Sequence, residues 1–277
     1  MTSAVTKHVW LWGRLWLFAC LLPFSSSGAF GQTETKASPP VIEPVTPMAK
    51  DTHPGFEVAT IRPARPDGSQ SFHIGRHRLS LESYSISSMI SLAYNIHRTQ
   101  VIGVPPTLED KTYDVDGVPD VEGQPSLHQA QEMLQKLLVD RFGLKFHHDK
   151  RELSIYALTI AKNGPRLTPA ASPTGMPNTS GSAGNNAQTM KFTNSTIGDF
   201  ALEMQFQSSR PVIDQTGLTG RYDFTLRWSH DDATGSDPNA PPGFFTAIQE
   251  QIGLKMEPKK DLADVLVIDR VEPPSDN

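Results

Sequence analysis

The chain has 277 residues, 37% hydrophobic, 20% charged and 8% aromatic, with 20 Gly, 23 Pro, one Cys and a net charge of −5. That length supports one large domain or two small ones, and segments with clear apolar period exclude a wholly disordered chain. One apolar stretch approaches membrane length and it lies at the N-terminus, which excludes a polytopic membrane protein, while the acidic balance argues against nucleic acid or an anionic membrane surface as partner.

Residues 1–31 read as a signal peptide. Lys7 and Arg14 supply a positive start, Leu15 to Phe24 form an apolar core, and Ala29-Phe30-Gly31 offers a cleavage site before Gln32. An uncleaved anchor would need about 20 apolar residues, and here the run is half that and ends near Pro23. A lipoprotein reading at Cys20 meets apolar residues continuing past the cysteine. Cleavage leaves 23 basic against 30 acidic residues, a net charge of −7, and removes the single Cys. No disulfide, thiolate nucleophile or Cys-ligated zinc is then available, so the mature chain must rely on its core. The expected location is extracytoplasmic, periplasmic or secreted, with no membrane association after cleavage.

Composition divides the rest. Residues 32–54 are polar and Pro-rich and read as a tether, 55–162 as a first lobe, 163–189 as a flexible linker and 190–277 as a second lobe, with a further loop at 229–243. Phe56 to Ile61 alternates and predicts a strand ended by Pro63. Arg78 to Leu81 predicts a short strand leading into a helix with Ser83 and Ser85 as candidate caps. Strands follow at Val101 to Val104 and Tyr113 to Val118. The clearest helix opens with the capping box Ser126-Leu127-His128-Gln129, carries Leu127, Ala130, Leu134, Leu137 and Leu138 as its apolar stripe, and closes at Gly143. Strands at Leu144 to His148 and Ile155 to Ile160 complete this half. The second half predicts helices near 195–207 and 243–251 and strands at 222–228 and 265–270.

The two halves share short patterns in one order. Phe142-Gly143-Leu144-Lys145 returns as Ile252-Gly253-Leu254-Lys255, Tyr113-Asp114-Val115 as Tyr222-Asp223-Phe224, and Val101-Ile102 as Val212-Ile213, at offsets of 110, 109 and 111 residues. Ile86, Met89, Ile90 and Ala93 match Ile197, Phe200, Ala201 and Met204, both at helical spacing. The expectation is an α+β protein with two related lobes from an internal duplication of about 110 residues. Each lobe would consist of helix-strand-strand units, with helices packed on a mainly antiparallel sheet. The unit is similar to the short N-terminal domain of secretins and TonB-dependent receptors, a likeness of fold alone.

The chain contains no Gly-x-Ser-x-Gly elbow, His-Glu-x-x-His, Ser-x-x-Lys, Walker loop or Gly-x-Gly-x-x-Gly. His73 and His77 are four apart, but the Gly between them argues against a helix. His147 and His148 are adjacent on a strand, so they point to opposite faces, one expected buried or paired and the other wet. Asp231, Asp232 and Asp237 lie in a loop whose spacing is not that of an EF-hand. Asp114 and Asp223 share their Tyr-Asp context, which fits matching strands better than a catalytic carboxylate pair. Thr216 to Gly220 reads as a turn. Arg62, Arg65, Arg76 and Arg78 cluster loosely and suit either an anionic group such as a carboxylate or a solvated edge. No catalytic, cofactor-binding or metal residue is assigned, and no cofactor is implied.

Several longer motifs together resemble one known family: Phe56-Glu57-Val58-Ala59-Thr60-Ile61-Arg62-Pro63, Asp140-Arg141-Phe142-Gly143-Leu144-Lys145, Glu152-Leu153 before Tyr156-Ala157-Leu158, Thr216 to Phe224, and Val271 to Asn277. They are similar to the "soil-associated protein" family of exported bacterial proteins, over about residues 55–277. The resemblance implies a bacterial, extracytoplasmic protein, and relatives fused to membrane peptidases of the beta-lactam sensor type imply sensing or envelope recognition. It carries over no activity and no catalytic residue. Two readings follow: a non-enzymatic binding or interaction module for an envelope or extracellular component (a peptide, glycan or protein), and a secreted hydrolase using scattered acid and histidine residues. Edge strands that accept a peptide strand would serve the first; a cleft with convergent polar groups would serve the second. The sequence leaves the oligomeric state open.

Overall fold

The structure of the protein, a computed structural model, describes residues 46–172, 177–184, 187–229 and 241–274. The signal segment 1–31, tether residues 32–45 and the loop carrying Asp231, Asp232 and Asp237 lie outside the described residues. In chain order the first half contains β1 (Phe56–Pro63), β2 (Ser71–Ile74), β3 (Leu79–Ser85), α1 (Ile86–Tyr94), β4 (Val101–Ile102), α2 (Pro106–Glu109), β5 (Thr112–Pro119), α3 (Leu127–Phe142) and β6 (Lys145–Ile160). The second contains β7 (Thr168–Pro169), β8 (Asn178–Gly184), β9 (Ala187–Ser195), α4 (Ile197–Phe206), β10 (Val212–Asp214), β11 (Tyr222–Ser229), α5 (Phe244–Ala247) and β12 (Leu254–Arg270). A π-helical turn, Ile248–Ile252, prolongs α5.

The strands form three four-stranded sheets, in the orders β1-β5-β3-β2, β10-β6-β12-β4 and β7-β11-β9-β8. Within these sheets only β10 with β6 and β4 with β12 pair in parallel, so the fold is α+β with mainly antiparallel sheets.

Local signals explain the helices. The Ser126 hydroxyl accepts the Gln129 N–H at 3.3 Å while Gln129 Oε1 accepts the Ser126 N–H at 2.9 Å, which satisfies donors that α3 itself leaves open. Gly143 closes α3 in the left-handed region, φ 59°. Ala130, Met133, Leu134, Leu137 and Leu138 are buried, but Leu127 at the first helical position is 53% exposed, and the buried place in that turn belongs to Gln129. Ser85, not Ser83, caps α1 by accepting from the Ser88 N–H. Thr196 and Asp199 make the same reciprocal cap on α4. Two large apolar cores result, beside a small cluster of Ile155, Ala157 and Ala263. One gathers α1 and α3 residues with Leu79, Leu81, Tyr113 and Val115. The other gathers α4 residues around Phe192, Phe200 and Phe224, whose rings lie 4.7–5.6 Å apart.

Four segments differ from the sequence expectation. The strands predicted separately at 144–148 and 155–160 are one strand of 16 residues, and 265–270 is the end of one of 17. β6 and β12 pair antiparallel along their length, from Leu254↔Ile160 to Arg270↔Lys145. Their middle, around Glu152↔Leu262, is charged and exposed, so no alternation marks it; backbone bonds hold it. Pro258 is tolerated there because β12 pairs on its other side only at Leu266 and Val267. Residues read as a flexible linker contain β7, β8 and the start of β9. β8 (NTSGSAG) is wholly exposed, so nothing in its side chains announces a strand. Finally, residues 46–54 of the polar tether dock on the body. Met48 is 4% exposed, and its N–H donates to the Gln124 carbonyl at 2.8 Å.

Candidate functional site

Asp114 on β5 and Asp223 on β11 lie in different sheets, so they form no carboxylate pair. Each does local work. Asp114 Oδ1 accepts the N–H of Ser83 at 3.0 Å, and Asp223 Oδ1 that of Asn194 at 2.7 Å. Ser83 and Asn194 are left-handed, φ 55° and 51°, a conformation that costs a non-glycine residue about 1–2 kcal/mol. The carboxylates offset that cost where β3 and β9 turn toward their helices. Asp223 is closed on its second side as well, because the Ala171 N–H donates to Oδ2 at 3.3 Å. Those two backbone donors hold its carboxyl below the usual range. Asp114 Oδ2 has no such partner among the described residues.

Beside Asp114 lies a cleft of about 560 Å³, lined by Arg62, Arg65, Glu82, Ser83 and Asp114 among others. Part of its lining is a turn in which the Gly68 N–H donates to the Arg65 carbonyl at 3.1 Å. A Cβ on Gly68 would collide with Ser83 Oγ, so a larger residue there requires the Ser83 hydroxyl to turn away. The loose arginine cluster is thereby sorted. Arg78 is bound through two nitrogens by Asp116, and Arg76 does not line the cleft. Arg62 and Arg65 face it without an ion-pair or hydrogen-bond partner among the described residues.

A second cleft, of about 330 Å³, is aromatic. Tyr156 of β6, Trp228 at the end of β11 and Phe244 and Phe245 of α5 line it, with Gln207, Ser208 and Ser209 following α4. Tyr156 and Phe245 stand 5.3 Å apart, Phe244 and Phe245 5.5 Å, and Trp228 and Phe244 5.3 Å. Trp228 is nearly buried, whereas Phe245 is 45% exposed, so the cluster presents open ring surface on a fixed base. The Arg210 guanidinium lies 5.3 Å from the Tyr156 ring centre and holds that ring by a cation–π contact. The Gln207 and Ser209 side chains make no hydrogen bond among the described residues. Sequence reasoning missed this cleft, since its rings come from three distant segments; the adjacent Phe244-Phe245 pair was the visible trace.

The histidines have ordinary structural duties. His147 and His148 are both exposed; of the expected pair, one buried or paired and the other wet, His147 is the paired one and His148 the wet one. His147 Nδ1 lies 2.9 Å from Asp269. His97 caps the turn Arg98–Gln100, and burial lowers its pKa, which keeps it neutral. The Ser208 hydroxyl donates to the Arg210 carbonyl at 2.7 Å rather than to an imidazole. Among the described residues no three His, Cys, Asp or Glu side chains gather as a metal site.

Residues 87–271 match the family described as "Protein of unknown function (DUF3738)". No curated protein and no solved structure matches the chain. The aromatic cleft falls wholly within the matched residues, while Arg62, Arg65, Glu82 and Ser83 of the charged cleft precede them.

Proposed function

We propose that this chain, which belongs to the DUF3738 family of proteins of unknown function, is an exported bacterial binding module that holds a glycan of the envelope or surroundings in its aromatic cleft. The signal-like residues 1–31 and the resemblance to soil-associated proteins support export. The single observation that carries binding is open aromatic surface beside unengaged hydrogen-bonding groups. A sugar ring has an apolar C–H face and a hydroxyl rim, so Tyr156 and Phe245 suit the face while Gln207 and Ser209 suit the rim. The hydrolase reading finds less support. Glycoside cleavage uses two carboxylates flanking the bond, and no described residue lining this cleft is acidic or a histidine.

An origin of the two lobes by internal duplication belongs to the same proposal. It is supported by equal strand orders in the first and third sheets and by β4 and β10 flanking β12 and β6 in the same parallel sense. It is supported too by the left-handed residue and carboxylate at matching places in each half.

Trp228 is the one tryptophan after Gln32, so its fluorescence reports this cleft alone. Titration with neutral and N-acetylated oligosaccharides should give a saturable change. Phe245→Ala and Tyr156→Ala should each weaken it about tenfold, since an aromatic contact is worth about 0.5–1.5 kcal/mol beyond its buried area. No response across the panel would refute the reading, and steady release of reducing ends would establish the hydrolase instead.

A further inference from the structure

The two carboxylates that fasten Ser83 and Asn194 sit in frames whose backbones agree and whose side chains differ. In the β1–β5 register Arg62 faces Asp114 and Pro63 faces Tyr113; in the β7–β11 register Thr168 faces Asp223 and Pro169 faces Tyr222. The next N–H also does the same thing in both: Ala64 donates to the Thr112 carbonyl at 2.9 Å, and Ala170 to that of Arg221 at 2.8 Å. Arg62-Pro63-Ala64-Arg65 therefore occupies the place of Thr168-Pro169-Ala170-Ala171. The inner two residues are shared, and both outer ones are arginine only where the cleft is open.

In the second frame the chain supplies its own donor, because the Ala171 N–H takes the outer oxygen of Asp223. In the first frame the outer oxygen of Asp114 stays available, and an N–H from outside the chain would complete the same arrangement. Glu82 adds a second acceptor, since only its Oε2 is engaged, by the Ser71 hydroxyl at 2.9 Å. Arg62 and Arg65 add two unpaired guanidinium forks to the same 560 Å³ cleft, and such forks match carboxylate geometry. We propose that this cleft binds an α-amino carboxylate, with its carboxylate on Arg62 and Arg65 and its ammonium or amide N–H on Asp114 and Glu82. The site is separate from the aromatic cleft and independent of the glycan reading. A free amino acid and the end of a short peptide share this chemistry.

Calorimetric titration of the whole chain with alanine, dialanine, acetate and ethylamine tests it. At least one of the two zwitterions should bind, alanine marking a free amino acid and dialanine a peptide end, with acetate and ethylamine at least about tenfold weaker. The double variant Arg62→Thr, Arg65→Ala installs the residues of the closed frame and should weaken the zwitterion by about tenfold to a hundredfold, as loss of charge-assisted bonds does, with melting unchanged. Glu82→Gln should weaken the zwitterion and leave acetate as it was. This second variant decides the matter if the double variant fails to fold. The proposal is overturned if neither zwitterion binds up to about 10 mM, if acetate binds as tightly as they do, or if a folded double variant keeps full affinity.

Discussion

Replacing Gln129 by alanine should cost far more than loss of a helix cap, because one 4%-exposed side chain performs two tasks. Its Oε1 completes the cap of α3 on Ser126, and its Nε2 donates to the Ala49 carbonyl at 2.8 Å and the Thr52 hydroxyl at 3.0 Å. A cap is worth about 1 kcal/mol, and each buried hydrogen bond about another 1 kcal/mol, so the expected loss is about 3 kcal/mol. For a domain of this size that lowers Tm by about 6–12 °C. Ser126→Ala removes the cap alone and should cost about 1 kcal/mol. Gln129→Glu keeps an acceptor for Ser126 but loses both donors and sets a buried carboxylate against the Ala49 carbonyl, so it should cost at least as much as Gln129→Ala. Thermal unfolding followed by circular dichroism supplies the comparison, and trypsin cutting at Lys50 reports release of the docked segment independently. If Gln129→Ala melts with Ser126→Ala and Lys50 stays protected, residues 46–54 are not anchored through Gln129 and the reasoning fails.

Glu203 on α4 is partly buried without a partner among the described residues, and that burial raises its pKa above the usual carboxylate range. Its folded value then exceeds its unfolded one, so the ionised side chain destabilises the fold at pH 7, and stability is regained as pH falls through the folded value toward 4.5. Leu92 holds the same seventh position in α1, and Glu203→Leu should raise the urea midpoint at pH 7 more than at pH 4.5; a lower midpoint at pH 7 would mean that the carboxylate has a partner. Gly143 and Gly253 share their motif and positive φ but not their surroundings. Gly143→Ala meets only Glu272 Oε2 at 3.7 Å and should cost about 1–2 kcal/mol, whereas Gly253→Ala would drive a Cβ into the Gly164 carbonyl and to 2.8 Å from the Arg166 nitrogen, and should cost several times more. Equal denaturation midpoints for the two variants would contradict that difference.

Much of this fold was legible where the causes are local. The Ser126/Gln129 box, the Gly143 cap, the stripe on α1 and the alternation in β5 all act within a few residues, and the structure places them where the sequence puts them. The same reasoning placed Asp114 and Asp223 as parts of matching strands rather than as a catalytic pair. It fell short where side chains carry no instruction. β8 has no apolar residue larger than alanine, and the middle of β6 is charged on both faces, yet both are strands because a distant segment supplies backbone partners.

The sequence by itself determined the α+β class, the capped helices, the acidic balance and the signal-like start, since each rests on residue type and short spacing. Only the tertiary structure decided that β6 and β12 run together along their full length, that Gln129 reaches back to Ala49, and that four aromatic residues from three segments share one cleft. It also decided which of the loosely clustered arginines Asp116 neutralises and which stay open. The physical reason is the same throughout: contacts between residues a hundred positions apart depend on where the backbone brings them, and one-dimensional spacing holds no record of that distance.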